Sequence, residues 1–344
     1  MLLRHGVLST ILLWLLLFTS CSHKPLYIEN YDLYQVRIAF DYSQVRQVPG
    51  TMRVFFYPEG QQSQQPYKFD LNATGGIVTL PAGDYHVVAY NVDAPNVLEQ
   101  FNDQYDEFGL TTARHEVEVT MVKDDEGNKA PRRSLFGSKV PIASDEEPHV
   151  TMYESPDWTC RCHVSRFRVA PIYATTDNEE MPVSTTITSQ LTLTAEEAVK
   201  TLEFEVSGIE GVQWASLIRG TISGVPASLH VASGIPSKEV GLVTFAAKVD
   251  KERGIITGSM NVWGFYPDDQ DSRQFIDIYI WSNAGNYYLT QDVTEQMKNG
   301  QNSDTQLIVL KLNSDLDLMD AAQGNSGFKP SLNEWEEENS SIKL

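Results

Sequence analysis

Hydrophobic and polar residues alternate with a period of two over much of this chain. The segment YQVRIAF, for example, alternates in this way, and its apolar side is formed by Tyr34, Val36, Ile38 and Phe40. The segments HEVEVTM and TLEFEV, which begin at His115 and Thr201, follow the same pattern. Side chains alternate across a β-strand, so this pattern indicates strands with one buried face.

Further apolar runs of strand length are separated by turn residues such as Pro49-Gly50, Gly75-Gly76 and Gly264. These runs cover residues 51–57, 77–80, 85–90, 164–169, 186–193, 217–223, 242–249, 255–262, 275–280 and 306–311. Many short strands at this spacing predict an all-β protein built of sandwiches, and they argue against parallel α/β units.

Two segments favour helix. Residues 291–300 (QDVTEQMKNG) combine a capping Asp292 with Glu295 three residues later, and Gly300 can end the helix. Residues 195–201 (AEEAVKT) are rich in helix formers and predict one further helical turn.

The N-terminus carries a basic residue, Arg4, followed by an apolar run that includes ILLWLLLF. This run is shorter than the roughly 20 apolar residues that a membrane-spanning helix needs, so it is typical of a secretory signal peptide over residues 1–20. The next residues, from Phe18 to Cys21 (FTSC), resemble the bacterial lipobox. That resemblance implies a diacylglycerol on the Cys21 thiol after cleavage, and ordinary secretion with an incidental Cys21 is the alternative.

The chain carries 26 basic and 46 acidic residues, which gives a formal net charge of −20. An anionic surface repels the phosphates of nucleic acids, and the sequence has no basic patch larger than Arg132-Arg133. Charge therefore argues against a nucleic-acid partner.

The other two cysteines, Cys160 and Cys162, lie in the segment TCRCH. A zinc site would need four ligands, and no second cysteine pair exists to supply them. A disulfide between strand positions i and i+2 would be strained. Two ordinary thiols at the start of a strand are the preferred interpretation, and the disulfide and the metal pair stay open as alternatives.

The length beyond the signal peptide suggests two domains. A stretch rich in Pro, Ser and acidic residues at 140–157 predicts a boundary near residue 150, with one domain at 21–150 and the other at 151–315. Residues 316–344 are polar and acidic, which predicts a disordered tail. Trp335 in this tail is the exception, since it can pack back or contact a partner.

The order of several segments resembles one protein family. LPAGDYHVVAYN (Leu80–Asn91) closes a strand pair, YESPDW (Tyr153–Trp158) precedes the second half, and that half contains FEVSGIEGVQWASLIRGTISGVPASLHVASG (Phe204–Gly234). Together with the lipobox, this order is similar to the fimbrillin superfamily of Bacteroidetes lipoproteins. It is most similar to the DUF5119 and FimB/Mfa2-like anchor group, over roughly residues 24–312.

This resemblance implies two tandem transthyretin-like, Greek-key β-sandwich domains with short helices and a polar C-terminal tail. It also implies a lipoprotein of the outer membrane, displayed on the cell surface, that is a structural subunit or anchor of a pilus. Its partners would be other pilus subunits or further copies of itself, joined by β-strand exchange.

Two segments are candidates for that exchange. Stalk-type members of the superfamily lose their first strand to a protease that cuts after Arg, and Arg46, in the loop after the first strand, is the candidate cut site. A plain surface arginine is the alternative. The extended segment TQLIVLKL (Thr305–Leu312) is the candidate strand for pairing or donation, and an ordinary internal strand is its alternative.

Catalytic signatures are missing from the sequence, which has no G-x-S-x-G, no H-E-x-x-H, no P-loop and no dinucleotide fingerprint. The acidic loop DDEGN (Asp124–Asn128) lacks the ligand spacing of an EF-hand. The sequence therefore predicts a protein that is not an enzyme and needs no cofactor. A hydrolase built from two carboxylates that the fold brings together is the alternative.

Aromatic residues cluster in the segments NVWGFY, YIWSN and NYY, between residues 261 and 288. Trp263, Tyr266 and Trp281 are candidates for stacking against a sugar. They make a glycan- or ligand-binding lipoprotein the alternative function. Packing of these rings in the core is the competing interpretation.

Overall fold

A computed structural model of the chain describes residues 33–60, 65–118, 121–123, 129–131, 149–171, 173–176, 179–182, 187–265, 273–282, 285–301 and 306–318. Across these residues the strands, in chain order, are β1 (Leu33–Gln44), β2 (Thr51–Pro58), β3 (Tyr67–Asn72), β4 (Gly76–Pro81), β5 (Gly83–Asn91), β6 (Val97–Gln100), β7 (Gly109–Thr112), β8 (Arg114–Glu118), β9 (Met121–Lys123), β10 (Lys129–Pro131), β11 (His149–Glu154), β12 (Cys160–Val169), β13 (Tyr173–Thr176), β14 (Glu179–Pro182), β15 (Ile187–Glu197), β16 (Lys200–Ser207), β17 (Ala215–Pro226), β18 (Ser228–His230), β19 (Val240–Asp250), β20 (Ile255–Val262), β21 (Phe275–Ser282), β22 (Gly285–Asp292) and β23 (Leu307–Asn313). One α-helix, α1 (Thr294–Gln301), and a short 3-10 turn (Val212–Trp214) accompany them.

The first sheet has seven strands in the order β3-β2-β5-β12-β15-β1-β4. β3 and β4 lie at its two ends but follow each other along the chain, joined by a turn at Gly75 with a φ of 86°. A Cβ at Gly75 would lie 2.1 Å from the Ile38 carbonyl oxygen, so only glycine fits there. The sheet therefore curls back on itself around a core that includes Tyr34, Val36, Ile38, Met52, Val54, Phe56, Val87 and Leu193.

The second sheet runs β22-β21-β17-β19-β20-β16-β23, and β11 and β8 extend it from one part of β19. The alternation predicted for TLEFEV is confirmed, since β16 buries Leu202, Phe204 and Val206 completely. The core of this sheet also includes Ile218, Ile222, Val243, Ile276, Ile278, Ile280, Ile308 and Leu310. Two sheets with separate cores confirm the all-β fold class with two sandwich-type units.

The sheets do not divide at residue 150. β12 and β15, which the sequence assigned to the second domain, pair with β5 and β1 of the first sheet. β8 of the first half joins the second sheet by pairing with β11. The chain thus crosses between the two sheets more than once, and the division into domains at residue 150 stays a prediction.

A third sheet, β18-β7-β6, connects the halves, because β6 and β7 come from the first half and β18 comes from the second. It covers the face of β2 and β5 that points away from the first core. We call the apolar cluster formed there the seam, and its buried residues are Phe55, Tyr57, Val88, Tyr90, Phe108, Leu110, Ala198, Val199, Leu229, Val231, Ala232 and Trp263.

A largely buried guanidinium crosses the same boundary. Arg161 of β12 donates hydrogen bonds to the carbonyl oxygens of Val231 (3.0 Å) and Ala232 (3.3 Å) and pairs with Glu196 at 2.7 Å. Gly234 has a φ of 68°, and a Cβ there would lie 2.1 Å from the Arg161 guanidinium. Close packing of glycine against arginine therefore fixes how the second half lies on the first sheet.

The helical predictions have mixed outcomes. α1 is confirmed, and Asp292 accepts a hydrogen bond from the Thr294 N–H at 2.9 Å as a helix N-terminus requires. The helical turn predicted for 195–201 is wrong, since these residues end β15 and begin β16. Ala195, Ala198 and Val199 are all buried there, so packing overrides their local preference for helix.

The start of the predicted disordered tail is ordered. Leu318 is buried in the second core, and Glu210 bonds the main chain of both Leu316 and Leu318 at 2.9 and 2.8 Å. Gly211 permits this approach, because a Cβ there would lie 2.1 Å from the Leu318 oxygen. Residues 319–344, including Trp335, lie outside the described residues, as do 124–128 and 132–148.

An ionic cluster holds β6 on the first sheet. Arg53 of β2 forms two hydrogen bonds with Asp70 (2.7 and 2.8 Å) and one with Glu99 of β6 (2.9 Å). Lys68 lies 3.3 Å from Glu99, and the Tyr90 hydroxyl donates to the same carboxylate. Burial opposes the charge on Glu99, but hydrogen bonds from Tyr90, Arg53 and Asn102 outweigh it and lower its pKa to about 2.

The seam predicts a large loss of stability on truncating Phe108. Its ring is fully buried and meets Phe55 edge-on at 4.9 Å between centroids. Phe108→Ala should lower the free energy of unfolding by about 3–5 kcal/mol, measured by urea denaturation. Phe101→Ala is the matched control, because Phe101 in the same β6–β7 connection is 61% exposed. Its effect should stay within about 0.5 kcal/mol. Equal effects of the two changes would contradict a stabilising role for the seam.

The Glu99 carboxylate predicts a pH-dependent contribution to stability. The pKa of Glu99 in the folded protein, about 2, lies below its ordinary value of 4.5. The carboxylate therefore stabilises the folded state fully when the pH is above that ordinary pKa. This stabilisation is lost as the pH falls toward 2. Glu99→Gln should therefore destabilise the protein by about 1–2 kcal/mol at pH 7, allowing for solvent screening. The difference in the free energy of unfolding between Glu99→Gln and wild type should narrow as the pH falls from 5 to 3. Urea unfolding at several pH values measures this difference.

The exposed Glu107, in the same connection, supplies the control Glu107→Gln. If the gap between wild type and Glu99→Gln is the same at pH 3 and pH 7, the ionic cluster does not stabilise the folded state through the Glu99 charge.

Candidate assembly site

The first strand fills an interior position of the first sheet. β1 lies between β15, with which it is parallel, and β4, with which it is antiparallel. Tyr34, Val36 and Ile38 are each no more than 1% exposed. The groove between β15 and β4 is therefore occupied by the chain's own strand, and removing that strand would open the first core to water.

The chain after β1 is held by Glu197. The main-chain N–H of Arg46 donates to Glu197 Oε1 at 2.9 Å, and Arg46 Nε lies 3.7 Å from the same oxygen. Trp158 Nε1 donates to the other oxygen at 2.7 Å, and the Glu197 side chain is only 2% exposed. Arg46 is accessible at its side chain but anchored at its main chain, and processing at this residue stays a prediction.

β23 is an edge strand of the second sheet. It pairs in parallel with β16, and no strand among the described residues pairs with its other side. Ile308, Leu310 and Leu312 point into the core, whereas Leu307 and Val309 are 41% and 45% exposed. Such an edge presents main-chain groups to which another chain can add.

A side-chain amide closes part of this edge. Gln296 of α1 accepts a hydrogen bond from the Lys311 N–H (2.8 Å) and donates to the Lys311 carbonyl oxygen (3.1 Å). Gln291 of β22 donates to the carbonyl oxygen of Asn313. Gln296 makes the same pair of bonds that a neighbouring strand would make, so it protects the far half of β23 from strand addition.

The candidate stacking residues do not form one site. Trp263 is only 3% exposed and packs among the apolar side chains of the seam. Its ring is therefore not accessible for stacking on a ligand, which corrects that part of the sequence-based hypothesis. Trp281 lies on β21 and is partly exposed, stacked on Tyr279. Cys21 and Tyr266 lie outside the described residues.

Cys160 and Cys162 are free, buried thiols on the core side of β12. Burial raises the pKa of both, to about 12 for Cys160. Cys160 Sγ lies 3.9 Å from Met52 Sδ, in apolar surroundings. The structure thus agrees with the interpretation as ordinary thiols. In the part of the chain that the structure describes, no group of three or more His, Cys, Asp or Glu residues is placed to hold a metal ion.

Sequence reasoning missed Glu197 and Gln296. Glu197 lies 151 residues from its partner Arg46, and nothing in the local sequence pairs the two. The Gln296 contact spans 15 residues and depends on how α1 packs beside β23. Neither residue differs locally from an ordinary polar surface residue, so only the three-dimensional structure identifies them.

These features define an all-β protein whose candidate working parts are strands and strand edges. Within the described ranges, no α-helix is long and apolar enough to cross a bilayer. Residues 20–245 match the family described as "Domain of unknown function (DUF5119)", and the chain belongs to that family. The family resemblance seen in the sequence is confirmed.

The chain is similar to a protein from Bacteroides ovatus and to two solved structures. A Bacteroides ovatus protein named "Putative fimbrium anchoring subunit Fim4B" is 32% identical over 104 residues, which is 30% of this chain and 30% of that protein. A crystal structure of a "putative adhesin" from Bacteroides ovatus covers 88% of this chain and 99% of its own, with 17% identity and a TM-score of 0.55. The latter similarity shows a shared fold.

The fimbrial anchor protein Mfa2 from Porphyromonas gingivalis is a more distant neighbour. It covers 82% of this chain and 90% of its own, with 9% identity and a TM-score of 0.44. That score is too low to support an argument about this chain.

The Gln296 contact predicts that self-association rises when the edge of β23 is opened. Gln296→Ala removes both hydrogen bonds to Lys311, at a cost in stability of about 1–2 kcal/mol. The exposed main chain should then pair with another copy, giving a dimer fraction that grows with concentration in analytical ultracentrifugation. Glu295→Ala, an exposed position one residue earlier on α1, is the control. A Gln296→Ala protein that is folded and as monomeric as Glu295→Ala would contradict the protective role.

Proposed function

We propose that this protein is a lipid-anchored fimbrial subunit of the outer membrane, displayed on the cell surface, that holds the base of a pilus. Membership of the DUF5119 family and the partial similarity to a protein named as a fimbrium anchoring subunit support this role. The role is structural and involves no catalysis.

The observation that carries the proposal is the interior position of β1. A subunit that accepts a neighbour's strand in this groove must first lose its own, as stalk-type fimbrillins do. Here β1 contributes three fully buried side chains and is paired on both sides. A subunit that keeps this strand cannot accept another one there, so it ends a strand-exchanged polymer instead of extending it.

The lipid would fix the subunit to the membrane. The lipobox-like segment ends at Cys21, 12 residues before Leu33 begins β1. Each buried lipid CH₂ contributes about 0.8 kcal/mol, so a multi-chain lipid on Cys21 would hold the folded part firmly at the surface. The short connection to β1 would keep the first sheet close to that surface.

Attachment to the next subunit would use main-chain hydrogen bonds at a strand edge. β23 is the candidate, since Leu307 and Val309 are exposed along it. Pairing over the whole strand would require Gln296 to release Lys311, which limits pairing in the free protein. The partners of this proposal are therefore other pilus subunits, with self-pairing suppressed.

The lipid and the surface location are tested together in intact cells of the native host. Wild type should fractionate with the outer membrane and be removed by protease shaving, whereas Cys21→Ala should be lost from the membrane. Ser22→Ala, which keeps the thiol, is the control. If the protein anchors fimbriae, the Cys21→Ala cells should also shed fimbriae into the medium.

Two outcomes contradict the proposal. Wild-type protein that is membrane-bound but protected from shaving would face the periplasm, and the pilus role would fail. A Cys21→Ala protein that stays in the outer-membrane fraction would exclude the lipid anchor.

A further inference from the structure

Three aromatic rings form a row on the second sheet, on the face that points away from its core. β21 directs Ile276, Ile278 and Ile280 into the core, and Tyr279 and Trp281 alternate with them. The rings of Tyr279 and Trp281 stack with centroids 5.8 Å apart and planes 28° apart. The ring of Tyr288 on β22 meets that of Tyr279 at 4.9 Å. We call Tyr279, Trp281 and Tyr288 the aromatic row.

The packing of the second core does not account for these rings. None of them belongs to the three apolar core clusters, and each is partly exposed. Trp263, by contrast, is buried in the seam. Large aromatic residues on the outer side of a strand, beside an apolar inner side that already fills the core, indicate a surface used for binding.

The row is held rigid from one side. The Tyr288 hydroxyl donates to Asp277 Oδ1 at 2.6 Å, and the Asp277 residue is completely buried. Tyr288 is cross-strand to Tyr279, so the three rings lie in register across β21 and β22. A preorganised surface loses little conformational freedom when a ligand binds.

Polar groups flank the rings. On the β17 side, Trp281 lies opposite the exposed, apolar Leu217. Asn286 of β22 lies opposite Trp281, and Arg219 of β17 lies opposite Tyr279. Both residues are exposed, and Arg219 has no carboxylate within ion-pair distance in the described part of the chain. The row therefore offers flat apolar faces, extended by Leu217 beside Trp281, with hydrogen-bonding groups at Asn286 on one side and at Arg219 on the other.

We propose that the aromatic row binds a neutral oligosaccharide. A pyranose ring has an apolar C–H face that covers an aromatic ring, and hydroxyl groups at its rim that reach donors and acceptors such as Asn286 and Arg219. The formal net charge of −20 disfavours anionic ligands, which selects neutral sugars.

The size of the row argues against a protein partner. A fully covered aromatic side chain buries about 150–250 Å². Three rings that are already partly covered, together with the half-exposed Leu217 beside Trp281, offer only a fraction of their sum, below the about 800 Å² that each side of a standard protein interface contributes. A short oligosaccharide laid along β21 matches this extent.

This inference is independent of the anchoring role. It concerns the outer face of β21 and β22 and uses neither Cys21 nor β1. Its failure would leave the proposed anchoring function unaffected, and a failure of the anchoring function would leave the sugar site unaffected.

The test is titration calorimetry of the full folded chain with four neutral probes: cellohexaose, xylohexaose, mannohexaose and laminarihexaose. At least one should bind with a Kd of about 0.1–1 mM. Trp281→Ala should weaken that binding at least about tenfold, and Trp281→Phe, which keeps a flat ring, should weaken it less than about threefold. Phe101→Ala, which removes an exposed ring far along the chain from the row, should leave it unchanged.

Thermal unfolding of each variant shows whether it is folded, and the partly exposed Trp281 should tolerate both changes. No binding by any of the four probes at 10-fold above the expected Kd range, on the order of 10 mM, would overturn the proposal. Binding that survives Trp281→Ala would place the sugar elsewhere and would also overturn it. If Trp281→Ala instead abolishes self-association seen by ultracentrifugation, the row is an interface between copies, and the sugar proposal fails.

Discussion

The fold depends on the seam, because the first core covers only one face of β2 and β5 and leaves their other apolar face to be covered. β2 buries consecutive residues, Val54, Phe55 and Phe56, so both of its faces need apolar partners. One face lies in the first core, and the other is covered by Phe108 of the β6–β7 connection together with Leu229, Val231 and Trp263 of the second half of the chain. The two halves are therefore one packed structure, whatever their evolutionary or folding boundaries. Burying this second face also explains why the β6–β7 connection folds over β2 and β5 instead of extending into solvent.

Polar contacts beside the seam fix how the two halves of the chain are oriented, whereas the apolar contacts of the seam hold the two halves together. Arg161 satisfies two main-chain carbonyl groups of the 231–232 segment and a carboxylate of its own sheet, and a buried charge of this kind tolerates few alternative arrangements. Thr111 of β7 adds a second link, since its buried hydroxyl donates to the carbonyl oxygen of Ala227 in the second half at 2.9 Å. The first sheet, which contains β1, and the second sheet, which contains β23, are thus held in a fixed relation. Force applied to β1 would reach β23 through the seam.

Local patterns were enough to find strands but not to arrange them. Strict alternation identified β1 and β16, whose single buried face needs only one core. The continuous run MRVFFY in β2 was found as a strand. Such a run also signals burial on both faces, but the residues that cover the second face come from the β6–β7 connection and from the second half of the chain, which no local pattern links to β2. Trp263 was a candidate for stacking on a sugar, with core packing as the competing interpretation, because nothing local reveals the seam. The parallel pairing of β1 with β15 and the hydrogen bonds of Glu197 are equally long-range, so no local pattern records them.

The same long-range contacts bear on how a subunit of this kind can work. A strand-exchange polymer grows through open grooves and open edges, and this chain closes both: β1 occupies the groove of the first sheet, and Gln296 covers half the edge of β23. Closed edges also keep a β-rich protein from pairing indiscriminately before it meets its partner. In the proposed anchoring role, a pilus would grow from such a molecule in one direction, from the side that a partner opens. The aromatic row lies on β21 and β22, and Gln291 of β22 also donates to the Asn313 carbonyl oxygen at the end of β23, so a strand that pairs along the whole of β23 would displace a contact made by a strand that carries the row.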